Sequence, residues 1–274
     1  MDDRKFDIAI KAYLQKIEVS VRDDTPGKQK ARAALFARMR ASLAEKMTQS
    51  RAMLQDIEQH YERHRATIPA LPSLQEAAIL DDGCGSGALL AALAEAGLHA
   101  VGIDPDNDFL ELAKSRPLRP LRLLRADGQH LPFADKRFDL VLSKSVLEHV
   151  QDKVAHLAEI FRVLKSPGVY LDLWIPNRWW YREHHSLLPI YRCLRGREYG
   201  VRQAFGLQPF WRIDPPNYFR LRTLLDRFDW DYTIIPSSVL PGKRLLSKTI
   251  DRALGMLPVA RLICCGWNVL ALKR

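Results

Sequence analysis

Cysteine is scarce in this chain of 274 residues: Cys84, Cys193, Cys264 and Cys265 are all there is, with no CxxC pair. Histidine and cysteine nowhere cluster at zinc-ligand spacing. Neither a disulfide framework nor a metal site is therefore expected, and the chain is read as cytoplasmic, in a reducing compartment. No apolar run reaches the roughly 18 to 20 residues that span a bilayer. The opening MDDRKFD lacks the basic and apolar regions of a secretory signal. Repeats and low-complexity tracts are missing as well. What is present is an ordinary globular composition, 47% hydrophobic and 27% charged, with a net charge of +10. Such an excess suits nucleic acid, an anionic membrane surface or an acidic small substrate, and many enzymes carry it with none of these partners.

Two regions differ in pattern. Over 1–70, Phe6, Ile10, Tyr13 or Leu14, and Ile17 recur at helical spacing, and DDTPG at 23–27 then breaks the chain. Leu35, Met39, Leu43, Met47, Leu54, Ile57 and Tyr61 mark one apolar stripe on a long second helix. This helical extension packs on the parent domain, or acts as a lid or dimerisation element. Over 71–274, strands predicted at 77–82, 99–104, 121–126, 138–143, 168–175, 229–235 and 267–272 alternate with helices near 88–96, 106–115, 152–164, 217–228 and 243–264. Such alternation gives an α/β fold, a doubly wound, mostly parallel sheet of seven strands, with an insert after strand five at about 176–216. Ligands of such sheets lie at the carboxyl ends of the strands.

The stretch AILDDGCGSGALL, 78–90, reads as a strand, a tight turn and a helix start, a cradle for an anionic group. Gly83, Gly85 and Gly87 let a ligand approach the backbone, and Asp104 ends the next strand about twenty residues on, as a ribose-binding acid should. On these two features NAD and S-adenosylmethionine are not separable. Downstream, Asp127 falls at the end of the third strand, where its carboxylate can accept from an exocyclic amine. The fourth strand is read as opening at Ser143, Lys144 and Ser145, where the reactive end of a cofactor would lie.

ILDDGCGSG, GIDPD and RADGQHLPFADKRFDLVLSKSVLEHV, in this order and spacing, resemble the class I S-adenosylmethionine-dependent methyltransferases, and in particular the subgroup that includes quinone-biosynthesis enzymes. The resemblance is close over about 77–176. It implies an antiparallel last strand, which WNVLALKR at the chain end supplies. It also implies that Asp81, Gly83, Gly85 and Gly87 hold the methionine portion of the cofactor. Asp104, with Pro105 beside it, would take the ribose hydroxyls; Asp127 and Gly128 the adenine; and the Ser143 region the methionine end. Asp82 departs from the family pattern and is expected at the loop edge.

Methyl transfer from a sulfonium needs alignment above all, and a hydroxyl acceptor adds the need for a general base. His149 in SVLEHV is one candidate, and it is equally readable as an orienting residue of its loop. His184 and His185 lie in IPNRWWYREHHSLLPIY, a run resembling the acceptor-pocket roof of some of these enzymes; His185 matches their histidine. Asn177, Arg178, Trp179, Trp180 and His184 are then the acceptor-binding candidates. Nine arginines against three acids between 177 and 222, interleaved with aromatic residues, suit an acceptor with an anionic group and an apolar or cyclic body. They suit an amphipathic roof on the core equally well.

The expected activity is methylation of a small molecule, at oxygen before nitrogen or carbon. RNA is the chief rival acceptor, since the chain is basic and the roof mixes arginine with aromatics. DPPN at 214–217 mimics a base-methylating signature but stands in front of a helix, where it reads as a start signal. A lipid acceptor at a membrane surface is a second alternative, because LLSKTIDRALGMLPVARLICCGW is basic and apolar enough to lie on a bilayer. A homodimer through the N-terminal helices, a non-enzymatic scaffold and an NAD oxidoreductase complete the alternatives.

Overall fold

The computed structural model describes residues 4–18, 26–116, 121–177, 214–238 and 266–274, which fall in two units, Met1–Asp127 and Gly128–Arg274. The first unit begins with α1 (Arg4–Glu18) and α2 (Pro26–Thr67). Pro26 suits the first helical position, because its missing N–H is one that the first turn leaves unpaired anyway. At about 1.5 Å per residue, the 42 residues of α2 form a long rod. Leu43, Met47, Ser50, Leu54, Ile57 and Tyr61 are buried along it. Their spacing of alternating fours and threes keeps one face against the protein. Ser50 belongs to that face although its hydroxyl hid it from the apolar pattern.

Ile10 and Leu14 of α1 pack with Leu43 of α2 and with Leu112 of α4 (Asn107–Lys114). Met47 packs on Ala91 and Ala92 of α3 (Ala88–Glu95). The stripe is thus covered at these points by its own chain; the side chains of Ile17 and Leu35 lie outside those described. Arg51 closes the edge with two hydrogen bonds to Glu95, at 2.8 and 2.9 Å, an exposed pair that contributes about 1 kcal/mol at most.

Strands β1 (Ile79–Asp82), β2 (Ala100–Asp104) and β3 (Leu123–Arg125) pair in parallel, with β2 central. All four residues of β1 are buried, as a strand covered on both faces requires. The second unit holds β4 (Phe138–Lys144), α5 (Lys153–Val163), β5 (Leu164–Pro176), α6 (Tyr218–Leu225), β6 (Trp230–Ser238) and β7 (Gly266–Lys273). There β4 and β5 run in parallel, while β7 lies antiparallel to both β5 and β6. Tyr170, Trp230 and Trp267 fill much of its core, with Tyr170 stacked on Trp230 at 5.9 Å. The strand order is β3-β2-β1 in the first unit and β4-β5-β7-β6 in the second, seven strands of the doubly wound, mostly parallel class with an antiparallel last strand.

Some predicted boundaries moved. β5 begins at Leu164 instead of 168, because Leu164 pairs with Phe138 and Val169 with Leu140, so that 165–168 bulge from the ladder. Pro167, which reads as a breaker, sits in that bulge where no N–H is required. β4 does not open at Ser143: Ser143 and Lys144 stay in the strand, paired with Asp172 and Leu173 of the lengthened β5. β3 is shorter than expected. DPPN does precede a helix, with the Asn217 side chain accepting from the N–H of Arg220 at 2.9 Å to cap α6. The expected helix at 243–264 and the insert from 178 to 213 lie outside the described residues. Among the described residues no helix is long and apolar enough to cross a membrane.

Candidate active site

β1 ends in two carboxylates and turns through three glycines with left-handed backbone, Gly83 at φ 69°, Gly85 at 51° and Gly87 at 70°. A residue with a side chain pays about 1–2 kcal/mol for that conformation. The Cys84 N–H donates to the Ile103 carbonyl at 2.8 Å, tethering the loop to β2, and the Gly87 N–H donates to the Cys84 carbonyl at 2.9 Å, closing the turn. Asp104, the last residue of β2, joins two backbone segments. Its Oδ2 accepts from the Gly85 N–H at 2.9 Å and its Oδ1 from the Asp106 N–H at 2.8 Å. Asp106 in turn caps α4 by accepting from Asp108 and Phe109.

The glycines differ in what surrounds them. A Cβ at Gly87 would lie 2.8 Å from the Cβ of Ala113, and one at Gly102 would lie 2.7 Å from Leu90 and 2.9 Å from the Cys84 sulfur. These two glycines serve packing. At Gly85 a Cβ would meet no atom within 4 Å. Its backbone therefore faces open space in a left-handed turn beside a buried carboxylate, the arrangement that close approach of a ligand needs.

Asp104 is only 8% exposed. Burial pushes its pKa above the ordinary carboxylate value, while the N–H groups of Asp106 and Gly85 hold it back. Each oxygen accepts one N–H and so keeps acceptor capacity for a hydroxyl. The Cys84 thiol is driven up by burial first and then by Asp81, Asp104 and Asp82, which leaves it protonated and a poor nucleophile. Asp82 is not at the loop edge as expected. It is buried as the final residue of β1, paired with Ile103.

The other expected residues sit as follows. Exposed Pro105 follows Asp104, and its carbonyl accepts from Arg125 Nε of β3 at 3.2 Å. Asp127 is exposed two residues beyond β3, next to Ala126, whose N–H donates to the Asp104 carbonyl at 3.3 Å. The ends of β2 and β3 therefore bring Asp104, Pro105 and Asp127 into one neighbourhood. In the second unit, Gly128 is half-buried, Ser143 is fully buried within β4, and Asn177 is buried just after β5. Arg178, Trp179, Trp180, His184 and His185 lie outside the described residues.

His149 is half-buried, with Nε2 3.8 Å from a carboxylate oxygen of the buried Glu148. That is too long for a hydrogen bond, but it sets a carboxyl group beside the ring. The Glu148 carbonyl accepts from the Asp214 N–H at 2.7 Å. The Asp214 carboxylate lies 3.0 Å from Arg220 and 3.5 Å from the buried Lys153. Burial lowers the Lys153 pKa, and Asp214 opposes the shift. DPPN therefore fastens the chain to the loop that carries His149. At the carboxyl ends of β4 and β5, Ser145 (φ 54°) and Trp174 (φ 66°) are both left-handed, and the Ser145 hydroxyl donates to the Trp174 carbonyl at 3.4 Å. Non-glycine residues in that region store strain, which tends to collect at functional sites.

Gly102, Lys153 and Glu148 were not singled out from the sequence. The need for glycine at 102 comes from the approach of Leu90 and Cys84, which no local pattern records. Glu148 stood in a quoted motif, but its burial depends on the fold.

Residues 80–171 match the family model described as a methyltransferase domain. A demethylmenaquinone methyltransferase of Clavibacter sepedonicus is 33% identical over 47% of this chain and 59% of its own length. A ubiquinone biosynthesis O-methyltransferase of Rhodopseudomonas palustris is 29% identical over 43% of this chain and 47% of its own. The chain spans 34% to 59% of the length of the curated relatives compared. In fold it is similar to a crystal structure of an S-adenosylmethionine-dependent methyltransferase from Mesorhizobium loti, with a TM-score of 0.55 and 19% identity over 74% of this chain and 94% of that one. With β1, the glycine turn and Asp104 in the places described, residues 80–171 are a methyltransferase domain of the class I S-adenosylmethionine-dependent kind.

Proposed function

We propose that the protein transfers the methyl group of S-adenosylmethionine to a hydroxyl of a small acceptor that is anionic or partly apolar and cyclic. The observation that carries the cofactor reading is the cradle formed by Gly85 and Asp104: an open left-handed backbone beside a buried carboxylate with acceptor capacity to spare. In this reading Gly83, Gly85 and Gly87 admit the amino-acid end, and Asp81 faces its ammonium. Asp104 and Pro105 hold the ribose, and Asp127 accepts from the adenine amine. Gly128 and Ser143 keep the roles that the family resemblance gives them. When bound, the cofactor supplies an electrophilic methyl on a sulfonium, so that alignment provides much of the acceleration.

The chain's own part is to orient the acceptor and take its proton. His185 and His149 are the candidate bases; a proton taken up by His149 would be held 3.8 Å from the Glu148 carboxylate. Asn177, Arg178, Trp179, Trp180 and His184 would bind the acceptor, with arginine forks for an anionic group and indoles for a ring. The relative named as a ubiquinone biosynthesis O-methyltransferase supports oxygen as the acceptor atom. We place the reaction in the cytoplasm, in keeping with the scarcity of cysteine in the chain. The test offers labelled S-adenosylmethionine with anionic phenols, lipid-like hydroxyls or RNA, each at low and high salt. Transfer to a phenol with little salt dependence is expected. Transfer to RNA alone, falling steeply with salt, would overturn the acceptor assignment.

A further inference from the structure

Arg116, just beyond α4, is 9% exposed and reaches under the glycine turn. Its Nε donates to the Ser86 carbonyl at 2.6 Å and its Nη2 to the Ser86 hydroxyl at 3.4 Å. On its other side, Nη1 lies 3.9 Å from the Met47 sulfur of α2, and the guanidinium stands 5.3 Å over the ring of Phe6 in α1. Among the described residues no carboxylate accepts a hydrogen bond from it. Burial lowers its pKa to about 10, which still leaves it charged at neutral pH.

Among the described residues, the direct partners of this buried cation are a carbonyl, a hydroxyl, a thioether and a ring, with the Glu95 carboxylate acting on it from beyond hydrogen-bond distance. That is a costly way to fill space, since an apolar side chain of that volume would avoid the desolvation. What the guanidinium adds is direction. Ser86 sits between two left-handed glycines, Gly85 and Gly87, where the backbone has more conformations open to it than anywhere else in the turn. The peptide unit is planar. Holding the Ser86 carbonyl therefore also aims the N–H of Gly87, the N-cap residue of α3.

We propose that Arg116 is a positioning residue for the cofactor loop, locking the peptide that joins Ser86 to Gly87, and that its socket of Phe6 and Met47 makes the loop's shape depend on the two N-terminal helices. Calling the loop's ligand the cofactor rests on the methyltransferase reading; the positioning itself does not. The experiment follows amide hydrogen exchange at Gly85 and Gly87 in the full chain, together with S-adenosylhomocysteine affinity and the melting temperature. The variants are Arg116→Met, Arg116→Lys and Phe6→Ala, with Leu54→Ala as a control that loosens α2 away from the loop.

Arg116→Met is expected to speed exchange at both amides and to weaken S-adenosylhomocysteine about tenfold, the scale of one lost charged hydrogen bond. Arg116→Lys recovers part of both, because an ammonium can still donate to the Ser86 carbonyl, and Phe6→Ala moves both in the same direction by less. Leu54→Ala lowers the melting temperature without changing the loop amides. If Arg116→Met fails to fold, Arg116→Lys and Phe6→Ala decide alone. Wild-type exchange in the Arg116 variants, or equal acceleration in Leu54→Ala, overturns the proposal. Failure of the wild type to bind S-adenosylhomocysteine overturns the methyltransferase reading instead, and the exchange data still decide the role of Arg116.

Discussion

Alanine at Gly85 and alanine at Gly87 are the same chemical change two residues apart, and the structure separates their consequences. Both force a side chain into left-handed backbone, at φ 51° and 70°, for about 1–2 kcal/mol each. At Gly87 the new methyl also lies 2.8 Å from the Ala113 Cβ and 3.2 Å from Leu121, an overpacking worth about 1–3 kcal/mol more. The total of about 2–5 kcal/mol should lower the melting temperature by roughly 5–15 °C. At Gly85 nothing lies within 4 Å, so stability falls by the strain alone, roughly 2–6 °C. The Gly85 methyl, however, projects into the open space that the proposed function gives to the cofactor, and affinity should then fall about 100-fold, or about 2.7 kcal/mol. Thermal melts followed by circular dichroism, with calorimetric titration of S-adenosylhomocysteine well below either melting point, read both quantities. Wild-type affinity in Gly85→Ala, or a wild-type melt in Gly87→Ala, would refute the reasoning.

Asp104→Ala removes the acceptor of two backbone N–H groups and, in the proposed function, of the ribose hydroxyls, so cofactor affinity should fall at least about 100-fold, measured by the same titration. Because burial raises the Asp104 pKa, affinity should begin to fall on the acid side sooner than an ordinary carboxylate would cause. The sign for stability is opposite: the folded state binds this proton more readily than the unfolded one, so through this group alone the fold gains as pH falls through the raised pKa toward the ordinary carboxylate value. Comparing melts of wild type and Asp104→Ala against pH isolates that contribution. Gly102→Ala should displace Leu90 or the Cys84 side chain, cost about 1–3 kcal/mol, and be visible as a lower melting temperature. His185→Ala should lower turnover while leaving S-adenosylhomocysteine affinity nearly unchanged; a matching loss of affinity would make the residue structural or cofactor-linked.

The glycine turn and the acid at the end of β2, which form the candidate cofactor site, were legible in the sequence because their signals are local. A buried strand, glycines at alternate positions and an acid at the end of the next strand are backbone requirements written in consecutive residues. The long helix was legible by period, apart from Ser50, whose burial its own hydropathy does not signal. What stayed hidden depends on distant partners. Arg116 contacts Ser86, Met47 and Phe6, three positions far from it and from one another in sequence. Gly102 answers to Leu90 and Cys84. The first residues of β5 were obscured by Pro167, which signals a break until the bulge opposite β4 is seen. Ser143 reads as the start of a loop, but the partner strand continues past it and keeps it in the sheet.

The central claim is that the turn at 83–87 and Asp104 together hold S-adenosylmethionine. Calorimetric titration of the purified wild-type chain with S-adenosylhomocysteine, and with NAD as control, tests it most directly. Saturable one-to-one binding of S-adenosylhomocysteine with no heat from NAD is the predicted result. Binding of NAD in its place, or of neither, would contradict it.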